Sequence, residues 1–157
     1  MALSVGGIAP DFTLDGIEGA TGRAGTWKRS DFLGAPLVVV FYPGDNSPVC
    51  TAQLDEYSRG MASLSELGAA VVAISPQSAD SHRRFAAANG GFGFPLLVDE
   101  RKAVAREWGN LGLLDLYKRS TFILDAEGRV SWVHRALGPG LFFKPLDAIV
   151  AALVDRS

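Results

Sequence analysis

The chain has 157 residues, 48% hydrophobic and 20% charged, with a formal net charge of −2 at pH 7. This length suits one domain spanning 1–157 with a full core, and the mildly acidic balance excludes nucleic acid and anionic lipid as partners. One cysteine and two well-separated histidines exclude an internal disulfide and a thiolate zinc site, so neither a metal nor a cofactor is expected.

The first residues carry no basic segment and no long apolar core, so they do not read as a secretory signal. No apolar run is long enough to span a bilayer, and the expected compartment is a reducing cytoplasm where a free thiol persists. Residues 1–36 read as an irregular N-terminal extension with short extended pieces. A short strand there puts Phe12 and Leu14 on its core face. Gly16, Gly19, Gly22 and Gly25 mark turns. Residues 30–34 predict a single helical turn capped at Ser30 and closed at Gly34.

Residues 37–42 form an apolar run without alternation, which predicts a buried strand with helices over both faces of its sheet. Pro43 and Gly44 stop it. Ser47 has N-cap chemistry, and Pro48 suits the first helical position. The helix predicted over 48–67 carries Leu54, Tyr57, Met61, Leu64 and Leu67 as one stripe, with Gly60 as a weak point and Gly68 as a stop. Cys50 is its third residue. Its sulfur therefore lies near unpaired N–H groups and the positive end of the helix dipole, which favour the reactive thiolate. Taken alone, a single cysteine reads equally well as a small buried apolar side chain.

A second buried strand is predicted over 69–75, parallel to the first because a helix crosses between them. A helix over 79–88 puts His82, Phe85 and Ala86 on one side. His82 reads as a helix residue, hydrogen-bonded locally or exposed, with no catalytic part. A short strand at 96–98 and a helix over 101–108 follow. Segment 110–117 carries four leucines in a loop-like context, either covering the core or forming an apolar patch. Strand 120–124, a turn at 125–129 and strand 130–133 read as a hairpin. Gly138, Pro139 and Gly140 predict a loop, and 144–154 a final helix with Leu146, Ile149, Val150 and Leu153 on one face. The order suits an α/β domain with a central mixed sheet flanked by helices.

Pro43-x-x-x-Ser47-x-x-Cys50 resembles the peroxiredoxin active-site motif, and Phe-Tyr-Pro-x-Asp-x-Ser-Pro-x-Cys-Thr over 41–51 is similar to its bacterioferritin-comigratory, PrxQ-type branch. Gly6-x-x-Ala9-Pro10-Asp11-Phe12-x-Leu14 resembles the opening of that family. Ser81-His82-x-x-Phe85 and Phe94-Pro95-Leu96-Leu97-x-Asp99 extend the likeness, and Arg119 precedes a matching Thr121-Phe122 strand. The resemblance runs from about residue 4 to the end. It implies a thioredoxin-like fold and the reduction of hydrogen peroxide and organic hydroperoxides through a peroxidatic cysteine.

Carried over residue by residue, the resemblance implies that Cys50 attacks the peroxide and becomes a sulfenic acid. The Ser47 hydroxyl and the N–H groups of Val49 and Cys50 would hold the substrate. Arg119 would stabilise the thiolate and align the O–O bond, and Pro43 would shield the site from water. For any cysteine, full ionisation from about 3% at pH 7 gains roughly thirtyfold in thiolate. A drop of about two and a half units in pKa returns roughly tenfold of that through lost nucleophilicity. Rapid reduction must therefore come mainly from aligning the peroxide and stabilising the leaving oxygen.

Three positions depart from the family pattern. Ser47 stands where threonine is usual, and Gln53 where glutamate is common, which predicts a differently oriented Arg119. Asp55 occupies the place of the resolving cysteine found in many PrxQ proteins. A one-cysteine cycle is therefore expected, reduced by an external thiol such as thioredoxin, glutaredoxin or a low-molecular-weight thiol, in a monomer or a homodimer. The alternative is a non-catalytic thioredoxin-fold binding module with a structural cysteine. A thiol–disulfide oxidoreductase is disfavoured by the absence of Cys-x-x-Cys and by Ser120 where thioredoxins carry proline. A Cys–His hydrolase lacks a supporting motif around His82 or His134.

Overall fold

A computed structural model describes residues 2–136 and 142–155 of the chain. The loop expected at Gly138–Pro139–Gly140 lies outside the described residues. The N-terminal extension forms a hairpin of β1 (Thr13–Ile17) and β2 (Ala24–Lys28). Gly16 and Gly25 pair within it rather than marking turns. A side chain at 16 would put its Cβ 2.3 Å from the Leu96 carbonyl oxygen, so glycine lets β1 lie against its other neighbour. The turn at Arg29–Phe32 is a 3₁₀ helix, and its cap is Lys28, not Ser30. The Lys28 N–H donates to Asp31, and the Ser30 N–H donates to Asp11. Nearby carboxylates outcompete the serine hydroxyl as acceptors.

The apolar run becomes β3 (Leu37–Phe41), buried along its whole length. Helices α1 (Pro48–Arg59) and α2 (Met61–Glu66) follow in place of one continuous helix. The break falls at Gly60, where a Cβ would sit 2.1 Å from a methyl of Leu146. A methyl group there would have to push the Leu146 side chain aside, so glycine eases the close approach of that residue. After β4 (Ala70–Ser75) come α3 (Ala79–Ala88), β5 (Leu96–Val98) and the short α4 (Ala103–Glu107). The first-turn N–H groups of Val104 and Ala105 in α4 donate to Asp99. The hairpin β6 (Ser120–Leu124) and β7 (Val130–Arg135) and the helix α5 (Leu146–Asp155) complete the described chain. α5 starts two residues later than its apolar pattern suggests, where the Leu146 N–H donates to Glu56 at 2.6 Å.

Among the described residues the strands form one mixed sheet in the order β2-β1-β5-β4-β3-β6-β7. β3, β4 and β5 run parallel, and β6 returns antiparallel to β3. Both faces are covered, as the unalternating strands require. Val38, Val40 and Tyr42 face a core with Leu54, Tyr57, Phe85 and Ile149 from the helices. Leu37, Val39 and Phe41 face a second core with Trp108, Tyr117 and Phe122. Each such fully buried side chain contributes about 1.5–3 kcal/mol, so the two cores hold the ends of β3 and β4 rigidly. No described helix is long and apolar enough to cross a membrane.

Candidate active site

The strand stop and the helix cap are local events, and together they place the cysteine. Ser47 is the N-cap of α1, in extended backbone, with Pro48 at the first helical position. Its Oγ accepts a long hydrogen bond of 3.5 Å from the Cys50 N–H. Cys50 thus sits in the first turn, where unpaired N–H groups and the helix dipole favour negative charge. Its side chain is fully buried.

Sheet register brings the second component. Phe41 pairs with Ser120 across the antiparallel β3–β6 ladder. Arg119, one residue earlier, therefore lies beside the end of β3 where α1 begins. Its Nη2 donates to the Cys50 sulfur at 3.2 Å across 69 residues of chain. Its Nη1 donates to Gln53 Oε1 at 2.6 Å. The arginine is only 2% exposed, and no carboxylate among the described residues pairs with it. Its Nε has no partner among the described residues.

Gln53 does not turn the arginine away as its neutral amide suggests. The amide oxygen supplies the same acceptor geometry as a carboxylate oxygen, so the guanidinium keeps its approach to the sulfur. Gln53 Nε2 donates in turn to the Tyr57 hydroxyl at 3.4 Å, which donates to the Lys144 carbonyl. Burial is the main cause that raises Tyr57 to about 12, so this phenol is a neutral donor. Pro43 and Val49 are half-buried, one at the start of the loop after β3 and the other beside Cys50 in the first helical turn.

A polar cluster next to this loop is not where sequence reasoning put it. His82 is neither exposed nor bonded only to its own helix. Its side chain and that of Asp45 are both fully buried, with Nδ1 and Oδ2 2.7 Å apart. The Asp45 carboxylate also accepts from the hydroxyls of Tyr42 at 2.8 Å and Ser81 at 2.7 Å. Burial pushes the Tyr42 hydroxyl well above its ordinary value, with the Asp45 charge adding to the effect, so it stays a donor. The signal was present: β3 and β4 are adjacent and parallel, so the loops after them meet at the same sheet end. A histidine on the buried face of the helix after β4 then faces the loop after β3. Among the described residues no cluster of three or more His, Cys, Asp or Glu side chains could hold a metal ion.

The arrangement is a buried thiol held between a helix N-terminus and a guanidinium, beside a serine hydroxyl. It can carry a thiolate and stabilise negative charge developing on an oxygen close to the sulfur. A family model described as the AhpC/TSA family matches residues 5–133. The chain is 36% identical over 134 residues to "Peroxiredoxin Q, chloroplastic" of Triticum aestivum, an alignment covering 84% of the chain and 59% of that protein. It is 33% identical over 137 residues to "Peroxiredoxin Bcp" of Bacillus subtilis (strain 168), with 83% of each covered. The crystal structure of Enterococcus faecalis AhpC superposes with a TM-score of 0.88 at 26% identity, covering 99% of this chain and 92% of that one. The chain thus spans about three fifths of the length of the plant proteins it matches, 59% in the wheat case.

Proposed function

Since the chain belongs to the AhpC/TSA family, on its peroxiredoxin Q and Bcp branch, we propose that it is a thiol-dependent peroxidase with Cys50 as the peroxidatic residue. The observation that carries this reading is the 3.2 Å approach of Arg119 Nη2 to the Cys50 sulfur at a helix start capped by Ser47. The substrates are hydrogen peroxide and organic hydroperoxides.

The Cys50 thiolate attacks the nearer peroxide oxygen. A sulfur–oxygen bond forms, the O–O bond breaks, and the electron pair leaves on the distal oxygen, which takes a proton to become water or an alcohol. Sulfur is oxidised to a sulfenic acid and the peroxide is reduced. Arg119 faces both the thiolate and the charge that grows on the leaving oxygen, with a planar set of donors that stays charged throughout. Its unpartnered Nε leaves a donor available to substrate. The Ser47 hydroxyl accepts from the Cys50 N–H and keeps its own proton for a peroxide oxygen. The first-turn N–H of Val49 supplies a further donor, and that of Cys50, held only by the long 3.5 Å bond to Ser47, turns to the peroxide when it binds. Pro43 covers the site against water.

Cys50 is the single cysteine of the chain, and Asp55 occupies the position of the resolving thiol. The cycle is therefore completed by an external thiol, a thioredoxin, a glutaredoxin or a low-molecular-weight thiol. This thiol displaces water from the sulfenic acid to give a mixed disulfide, which a second thiol reduces to restore Cys50. Because Cys50 is fully buried, the first turn of α1 must open for that step. The enzyme works in a reducing compartment such as the cytoplasm, as a monomer or a homodimer.

The test is stopped-flow mixing of reduced protein with a small excess of hydrogen peroxide, followed by tryptophan fluorescence and by mass. Addition of one oxygen to Cys50, much faster than on free cysteine and absent in Cys50→Ala, is the expected result. A rate equal to that of free cysteine refutes the assignment and leaves the binding-module reading.

A further inference from the structure

The segment joining β3 to the cap of α1 carries Pro43 and ends at Ser47, yet little holds it. Proline has no N–H. Among the described residues, the hydrogen bonds that tie 43–46 to the rest of the molecule all run through Asp45. Its N–H donates to Gln77 Oε1 at 3.2 Å, and its carboxylate takes the hydroxyls of Tyr42 and Ser81 and the Nδ1 of His82. The next residue, Asn46, turns the chain with a φ of 64°, so the direction in which Ser47 leaves depends on where Asp45 is fixed.

His82 differs from the other three partners because both ends of its ring are held. Nε2 lies 2.9 Å from the Leu97 carbonyl oxygen on β5, and Nδ1 lies 2.7 Å from the Asp45 carboxylate. Each ring nitrogen thus faces an oxygen that can accept, one on the sheet and one on the loop. The Tyr42 hydroxyl lies 3.4 Å from the same Nδ1. The imidazole is thus a rigid strut between the sheet and the loop, fully buried and paired with a buried carboxylate.

We infer that His82 is a positioning residue for peroxide reduction: through Asp45 it fixes segment 43–47, and with it the Ser47 hydroxyl that faces the peroxide. This rests on the peroxidase reading above. Without the ring, the carboxylate loses its nitrogen donor and the loop shifts into the vacated space. A displacement of about 1 Å at a reacting group costs on the order of a hundredfold in rate.

The experiment compares wild type with His82→Leu, which removes both contacts, and His82→Asn, whose amide N–H replaces Nδ1 toward Asp45. Two rates are read at Cys50 for each protein: oxidation by hydrogen peroxide and alkylation by iodoacetamide. Alkylation needs the sulfur but not an aligned pair of oxygens. His82→Leu is expected to slow oxidation about a hundredfold while alkylation is unchanged or faster, and His82→Asn to recover most of the loss. Asp45→Asn exchanges one of the two acceptor oxygens for an N–H donor, so the two hydroxyls and the imidazole can no longer all donate to it, and it is expected to slow oxidation. It carries the test if His82→Leu does not fold. Wild-type oxidation no faster than free cysteine removes the peroxidase reading and this inference together. The inference alone is overturned by fast wild-type oxidation with any one of three results: undiminished rates in the His82→Leu or Asp45→Asn variants, no rescue by asparagine, or a parallel fall of both rates.

Discussion

Two loops approach the site from opposite strands, and they are built on opposite physics. Segment 42–47 leaves β3 and is anchored inward by Asp45, whose carboxylate is fully buried and accepts three hydrogen bonds. Segment 111–117 leads to Arg119 and is anchored inward only at its end, where the buried Tyr117 hydroxyl donates to Asp99, while its turn is held from outside. Lys102 Nζ donates to the Asp115 carbonyl, and Arg106 pairs with the Asp115 carboxylate at 3.5 Å with both side chains largely in solvent. Its tip presents Leu113 and Leu114 at 86% and 85% exposure. Both loops contain residues with left-handed backbone, Asn46 in one and Leu114 and Asp115 in the other. Asparagine tolerates that conformation, whereas leucine is strained by it. The lesson is that the loop holding the proposed substrate groups is fixed at its middle by buried polar bonds, while the other has a buried polar bond only at its end, at Tyr117, and exposed ones at its turn.

The contrast breaks most visibly at the two aspartates. Asp45→Ala leaves the His82 ring buried without its carboxylate and should lower stability by about 3–5 kcal/mol. Asp115→Ala should cost less than about 1 kcal/mol, because exposed pairs are solvated and screened. Urea titrations of the two variants measure the difference directly, and equal losses would contradict it. Next in size is the residue that the outward loop delivers. Arg119→Ala should slow peroxide oxidation of Cys50 by about 10²–10³-fold, the usual cost of losing one preorganised donor to developing charge. Stopped-flow fluorescence checks it.

A smaller effect sharpens the comparison of backbone strain. Leu114→Gly should raise stability by up to about 1 kcal/mol, since glycine adopts φ near 58° without the side-chain clash. Asn46→Gly should change it by only a few tenths of a kcal/mol. Thermal melts of the pair separate strain from flexibility.

The smallest effect belongs to neither loop. Partial burial works against ionisation of Asp11, but hydrogen bonds from Ser30 and the Phe12 N–H outweigh it and hold the carboxyl below its ordinary value. A lowered folded value contributes stability above the unfolded value, about 3.9, and loses it as pH falls through the folded value. Asp11→Asn should therefore cost a few tenths of a kcal/mol at pH 7, as expected for an exposed site. The difference from wild type should vanish at a pH below the folded value. Melts at the two pH values decide this.

The sequence by itself determined what depends on neighbours along the chain. The apolar run, the Pro43–Gly44 stop, the Ser47 cap and the Pro48 start lie within a dozen residues, so strand, helix and the place of Cys50 were all legible. The hairpin at Ser120–Leu124 and Val130–Arg135 and the helix Ala79–Ala88 were legible for the same reason. Arg119 could be named from a family motif, but its contact with the sulfur follows from the pairing of Phe41 with Ser120. The break falls at Gly60, the weak point that the sequence itself marks, but the packing of Leu146 against it, 86 positions further on, is something no local helix pattern reports. The histidine was misjudged most, because its partner lies 37 residues away and on a different element. Only the packing of parallel β3 beside β4 brings the two loops together and excludes water from both side chains. Burial then turns an ordinary aspartate and histidine into a fixed strut, because a polar group removed from water must find its partners within the protein.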